Sequence, residues 1–240
     1  MTRGELVFET SRMFGLDDTV GGDELKLMQS WYNRAVRDVL LKTHCYVDLG
    51  SLTLQAGVTD YRLDTTVIAV LEITAPDNSG IPYELRHVSQ GEIVPYLSSS
   101  IAASATPTRI AIEGNFARVA PIPSSAVVLT YVYVPDAPDV AADGTIANDN
   151  TDPSLAAAGG IPIGMHECLL AFMAWKAADY DDKTTAMNAK DYRTAYEGLC
   201  KDARKHHRRK AGRALSGARV GYPGTRGIST RNDVYPNFTR

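Results

Sequence analysis

At 240 residues the chain is long enough to bury one sizeable core or two small ones without disulfide or metal staples. Cys45, Cys168 and Cys200 are odd in number, widely spaced and free of any CxxC, which argues against a disulfide frame or a zinc site and for a reducing compartment. The net charge of -3 conceals an asymmetry: residues 201–240 hold 11 Lys and Arg against Asp202 and Asp233, or +9, leaving 14 basic against 26 acidic residues in the first 200, or -12. An acidic body with a basic arm points to a partner for the arm.

The N-terminus sets Arg3, Glu5 and Glu9 in an amphipathic pattern and lacks the apolar h-region of a signal peptide. No window is read as the roughly 20 apolar residues of a membrane span, so the chain is expected to be intracellular and soluble. Thr2 and Glu5 have capping-box spacing, and Leu6, Val7, Met13 and Phe14 supply the apolar side of a first helix that Gly15 ends. Beyond the turn-rich segment from Asp17 to Gly22, Asp23 is placed to cap a second helix. There Leu25, Met28, Tyr32, Ala35, Val36, Val39 and Leu40 share one face, and Trp31 extends it towards the core.

From Cys45 the period changes from 3.6 to 2. Tyr46 to Leu54 and Tyr61 to Leu63, around a turn at Gln55-Ala56-Gly57, read as a hairpin. Val67 to Thr74 has a partner at Ile81 to Leu85, and Ser89 with Glu92 caps a short helix to Leu97 that Pro95 disfavours. Arg109 to Glu113 and Phe116 to Val119 flank a two-residue turn at Gly114-Asn115, and Ala126 to Val134 closes the series. Six or seven short strands at this spacing predict an antiparallel sandwich or barrel.

Residues 136–160 form a linker of Ala, Gly, Asp, Asn and Pro. After it, Met165, Cys168, Leu169, Phe172, Met173, Trp175 and Tyr180 make one apolar helical stripe. Tyr192, Ala195, Tyr196, Leu199 and Ala203 make another, joined to the first through Asp181-Asp182-Lys183-Thr184. The expected class is therefore α+β. N-terminal helices (1–44) pack with a C-terminal helical hairpin (161–210), an antiparallel β-sandwich or barrel (45–135) is inserted with the linker (136–160), and an extended arm (211–240) follows. The arm lacks apolar periodicity and is rich in glycine, so it is not expected to fold by itself.

No catalytic constellation emerges. His166-Glu167-Cys168-Leu169-Leu170 begins like HExxH but has Leu170 where the second ligand must stand. No G-x-S-x-G elbow or phosphate-binding GxxxxGK[ST] loop occurs. Asp139, Asp143, Asn148, Asp149, Asn150 and Asp152 resemble a calcium loop in composition alone, because the spacing lacks the Gly and Glu such a loop needs; they read as solvated linker. No cofactor or metal is expected. The strong signal is the basic run, in which Arg204, Lys205, Arg208, Arg209, Lys210 and Arg213 suit phosphate or an acidic protein surface. Tyr222, Tyr235 and Phe238 lie too far downstream to form a base-stacking platform with it and are spaced as anchors for a partner's pockets.

The order of these elements is informative. Trp31-Tyr32-Asn33-Arg34-Ala35-Val36-Arg37-Asp38-Val39-Leu40-Leu41 leading to Tyr46-Val47, then Gly57-Val58-Thr59-Asp60-Tyr61-Arg62-Leu63-Asp64, resembles the start of tailed-phage head-to-tail adaptor (neck, connector) proteins. Ile161 to Leu170 and Asp191-Tyr192-Arg193-Thr194-Ala195-Tyr196 resemble the C-terminal helical pair of that family, so the likeness spans roughly residues 20 to 210. It implies a non-enzymatic virion protein of the neck, assembled in the host cytoplasm. Such a protein joins the portal to a downstream tail or neck protein as a ring of about 12 copies around the DNA channel. It also implies an arm that docks on the portal, with genomic DNA as a possible contact and no membrane. The alternative function is a nucleic-acid-binding module that grips the duplex through the basic helix.

Overall fold

The computed structural model describes residues 1–17, 19, 22–77, 79–98, 106–141, 146–180 and 189–217, of which 98, 147 and 207–217 are described by their backbone alone. The architecture is α+β. Among the described residues, those within 1–46 and 137–217 form one unit, and those within 47–136 form a second.

In the helical unit, α1 (Arg3–Phe14) begins with the predicted capping box: the Glu5 amide donates to Thr2 Oγ1 at 3.2 Å, and the Thr2 amide donates to Glu5 Oε2 at 2.7 Å. Gly15, at φ +65°, closes it. α2 (Asp23–Thr43) starts from Gly22 without a side-chain cap, so Asp23 acts through the helix dipole as a first-turn acid and not as the cap. All eight residues predicted for its apolar face, Trp31 included, are buried. Met13, expected on the inner side of α1, is exposed.

α4 (His166–Tyr180) packs against α1, α2 and α5 (Ala189–Gly217). The stretch Ala156–Tyr180 is long and apolar enough to cross a membrane by length and composition, contrary to the reading of the sequence. Half of it is buried within the protein, and it is not one helix: 3-10 turns at Ala156–Ala158 and Ile163–Met165 interrupt it. The 15-residue α4 rises only about 22 Å, short of a bilayer core, and serves here as the central core helix.

The described part of the linker is not a solvated loop. The first amide groups of α1, which have no partner within the helix, donate to it: Arg3 to the Thr151 carbonyl at 3.0 Å and Gly4 to the Asp149 carbonyl at 2.9 Å. Arg3 also reaches Asp149 at 3.0 Å and the Tyr32 hydroxyl at 3.2 Å. Asn33 exchanges two hydrogen bonds with the Val140 backbone, and Arg37 pairs with Asp139 at 3.2 Å. Gly160, at φ +65°, permits close approach to Tyr46, whose ring a Cβ would meet at 2.6 Å. Asp143 lies outside the described residues.

The second unit holds two four-stranded sheets. One runs β1 (Asp48–Leu54), β8 (Val127–Pro135), β3 (Val67–Pro76), β4 (Pro82–Glu84); the other runs β2 (Asp60–Arg62), β7 (Phe116–Ala120), β6 (Arg109–Glu113), β5 (Arg86–His87). Leu54, Ile73, Leu129 and Tyr131 from the first share a core with Ile110, Ala117 and Val119 from the second, which makes a sandwich with open edges and no closed barrel. Gly50 faces Tyr131 so closely that a Cβ would meet its ring at 2.3 Å.

Two sequence expectations change. β1 does not pair with β2: Gln55-Ala56-Gly57 carries the chain from one sheet to the other, β1 pairing with β8 and β2 with β7. The unit is also not wholly antiparallel, because β5 runs parallel to β6. Parallel neighbours need a crossover, and α3 (Gln90–Ser98), capped by Ser89 and Glu92 as predicted, lies between them in the chain. The β6–β7 turn forms at Gly114 (φ +59°) and Asn115, as expected.

Burial disfavours the Asp149 carboxylate, but hydrogen bonds from Thr151 and Arg3 outweigh it and hold its pKa below the ordinary value. A depressed carboxylate stabilises the fold above its unfolded pKa of about 4, and that contribution is lost as pH falls through the folded value. Arg3→Met should therefore cost about 1 to 3 kcal/mol near pH 7. The gap from the native protein in urea melts should narrow below about pH 4; a gap indifferent to pH would contradict the role given to this pair.

Candidate interaction helix and its anchorage

α5 is a 29-residue helix, about 44 Å long. Its buried residues among 189–206 are Tyr196 and Cys200, one turn apart, so the helix presents a narrow inner edge to α4 and α2. Ala195 and Leu199, expected on that edge, are exposed, and Ala203 is half-buried. The apolar stripe read from the sequence is rotated and shorter than it looked.

Tyr196 is the anchor. Its ring packs edge-on to Phe172 at 5.3 Å and stacks on Trp175 at 6.1 Å, while Lys42 Nζ sits 4.5 Å from its centroid. Its hydroxyl donates to Asp38 Oδ2, and Lys42 pairs with the same carboxylate oxygen at 2.8 Å. Burial first, and the bond to Asp38 next, push the phenol pKa up, so it remains a neutral donor. At the N-terminal end of α5, Tyr192 meets Phe14 at 5.5 Å. Trp175 has cations beside it, Lys176 Nζ at 3.9 Å and Arg193 Cζ at 5.4 Å from its centroid, with Arg193 also paired to Glu197 at 3.0 Å.

Past Cys200, none of residues 201–206 is buried. Lys205 is exposed and pairs weakly with Asp202 at 3.7 Å, and Arg204 is half-buried. Arg208, Arg209, Lys210 and Arg213 lie on the same continuous helix, which runs to Gly217 and not to Lys210. Residues 211–217 are thus helical and not part of an extended arm. Lys201, Lys205, Arg209 and Arg213 recur every four residues, which sets them along one row of the helix, with Arg204 and Arg208 on an adjacent row. Tyr222, Tyr235 and Phe238 lie outside the described residues, as does the turn Asp181-Asp182-Lys183-Thr184.

His166 is not set out as a ligand. It is buried at the start of α4, its Nε2 donating to the Ile161 carbonyl at 3.1 Å, which leaves Nδ1 to accept from the Met1 amino group at 3.2 Å. Burial chiefly lowers its pKa. Among the described residues, no group of three or more His, Cys, Asp or Glu is placed to hold a metal ion. Sequence reasoning missed the Asp38–Lys42–Tyr196 cluster; the i, i+4 spacing of Asp38 and Lys42 was a visible signal, but the tyrosine that crosses to them comes from another helix.

With this geometry in view, the comparison that decides the relationship is a match of residues 1–221 to the family described as SU10 adaptor protein. The chain belongs to the SU10 adaptor protein family. Among solved structures, a chain of "Neck of empty GTA particle computed with C6 symmetry" is similar at 13% identity, over 80% of this chain and 90% of that one, with a TM-score of 0.25. No curated protein matches this chain.

Tyr196→Phe keeps the ring packing and removes the donor to Asp38, and should cost about 1 kcal/mol. Tyr196→Ala also empties the nest between Phe172 and Trp175, and should cost about 3 to 5 kcal/mol. Equal losses in denaturant melts would contradict the division drawn between packing and hydrogen bond.

Proposed function

We propose that this protein is a structural adaptor of the neck of a tailed-phage-like particle, binding the portal on one side and a downstream tail or neck component on the other. The match to the adaptor family over residues 1–221 carries this reading. In it the copies form a ring of about 12 around the DNA channel, using head-to-tail contacts, because only a heterologous interface closes a ring of that size. The protein works by binding and not by turnover. It assembles in the host cytoplasm and resides at the head–tail interface.

The division of α5 supports a docking role for its second half. Tyr196 and Cys200 hold the helix to its own unit, none of residues 201–206 is buried, and Arg208, Arg209, Lys210 and Arg213 follow on the same helix. Lys205, Arg209 and Arg213 in one row, with Arg204, Arg208 and Lys210 beside them, would supply attraction to an acidic portal surface. Tyr222, Tyr235 and Phe238 would supply apolar anchors. A body of -12 repels its own copies and attracts the basic segment of a neighbour or partner only at close range in physiological salt.

A second reading keeps the same basic rows but gives them to duplex DNA, whose phosphates their spacing along one helix also suits. The two part in a docking assay. Deleting 218–240 should leave thermal melting unchanged and abolish stable binding to the portal. Replacing Arg208, Arg209 and Lys210 with Glu should weaken portal binding at least about tenfold at low salt and less at high salt. Full portal affinity in the truncated protein, or a triple variant that loses bare duplex DNA while sparing the portal, would replace this reading with the nucleic-acid one.

A further inference from the structure

The three cysteines, far apart in sequence, come together in the helical unit, each buried. Cys168 lies one turn before Phe172 on α4, and Cys200 lies one turn after Tyr196 on α5. Phe172 and Tyr196 touch at 5.3 Å across the pair. Because α4 and α5 are consecutive helices packed along each other, a step back on one and a step forward on the other reach the same level, which sets Cys168 opposite Cys200. The two thiols lie close enough to act on each other's charge, which agrees with that register. Cys45, just past the end of α2, is close by but outside this pair, and the three do not converge as ligands around one ion.

We infer that Cys168 and Cys200 are a redox modification site, closed to a disulfide between α4 and α5 by a small peroxide and reopened by thiols. The inference does not rest on the adaptor reading. The hydrogen bond from Cys168, with the Lys42 charge nearby, lowers the pKa of Cys200 against the opposing effect of burial, while the same bond and burial raise that of Cys168. Cys200 is therefore the thiolate that attacks and Cys168 the thiol that resolves. The Cys200 thiolate displaces hydroxide from hydrogen peroxide to give a sulfenic acid. The Cys168 sulfur then attacks that sulfur, its proton leaves with the hydroxyl as water, and the S–S bond forms. Two thiols are oxidised and one peroxide is reduced to two waters. Each thiol is 3% exposed, so the reagent must be small and the reaction slow.

The cross-link would close the chain from 168 to 200 into a loop and fasten α5 to α4 immediately before its basic half. In a reducing compartment the pair stays open, and α5 is held by the packing of Tyr196 and its hydrogen bond to Asp38 without a covalent link.

The test treats the folded full-length protein with hydrogen peroxide, alkylates remaining thiols under denaturing conditions and maps peptides by mass spectrometry. The expected product is a Cys168–Cys200 linked peptide two hydrogens lighter than its parts, formed equally in Cys45→Ala and absent from Cys168→Ala and Cys200→Ala. Its melting temperature should rise by roughly 5 °C and return on adding dithiothreitol. Three free thiols after treatment, an over-oxidised single cysteine without the link, a link to Cys45, or links only between chains would each overturn the inference. The map of the unmutated protein decides this even where a variant does not fold.

Discussion

A phenol can be buried between helices only if its hydroxyl finds an acceptor, and in this protein Tyr196 finds Asp38. That bond fixes α5 to α2, and the contacts of the same ring with Phe172 and Trp175 fix the register of α5 on α4. Lys42 balances the carboxylate and lies over the ring. One residue thus ties three helices together at the point where α5 stops being part of a core. Everything that distinguishes the basic half of that helix depends on its other half being held there.

Periodicity revealed what periodicity can encode. The inner face of α2 was legible residue by residue, since a long amphipathic helix repeats its signal over several turns. α5 was harder: with burial confined to Tyr196 and Cys200, two turns of weak signal let Leu199 and Ala195 pass for inner residues. Its end was misplaced for a related reason. A helix already nucleated continues through Ala211, Ala214 and Leu215 at little cost whether or not it has a face to bury, so the loss of apolar periodicity after Lys210 did not mark a terminus.

The strands show the same limit in another form. Gly114-Asn115 has a local geometry that its two strands obey, and the β6–β7 turn could be read directly. Gln55-Ala56-Gly57 carries an equally good turn signal, yet the strands on either side enter different sheets because β8 and β7, far along the chain, are better partners. The linker failed differently. Its polar residues look solvated in isolation, but the open amide groups at the start of α1 and the guanidinium of Arg3 need acceptors, which Thr151 and Asp149 supply. Membership of the adaptor family was legible only from the order of elements, since no single motif has a chemistry that identifies it.

The proposed function divides α5 at Cys200, into a half held within its own unit and a half proposed to serve a partner. Amide hydrogen exchange on the full-length protein, with and without the proposed portal partner, tests it most directly. The account predicts that the gain in protection on binding falls on residues 201–217 and those that follow, with 189–200 unchanged. A gain elsewhere that leaves 201–217 as they were would contradict it.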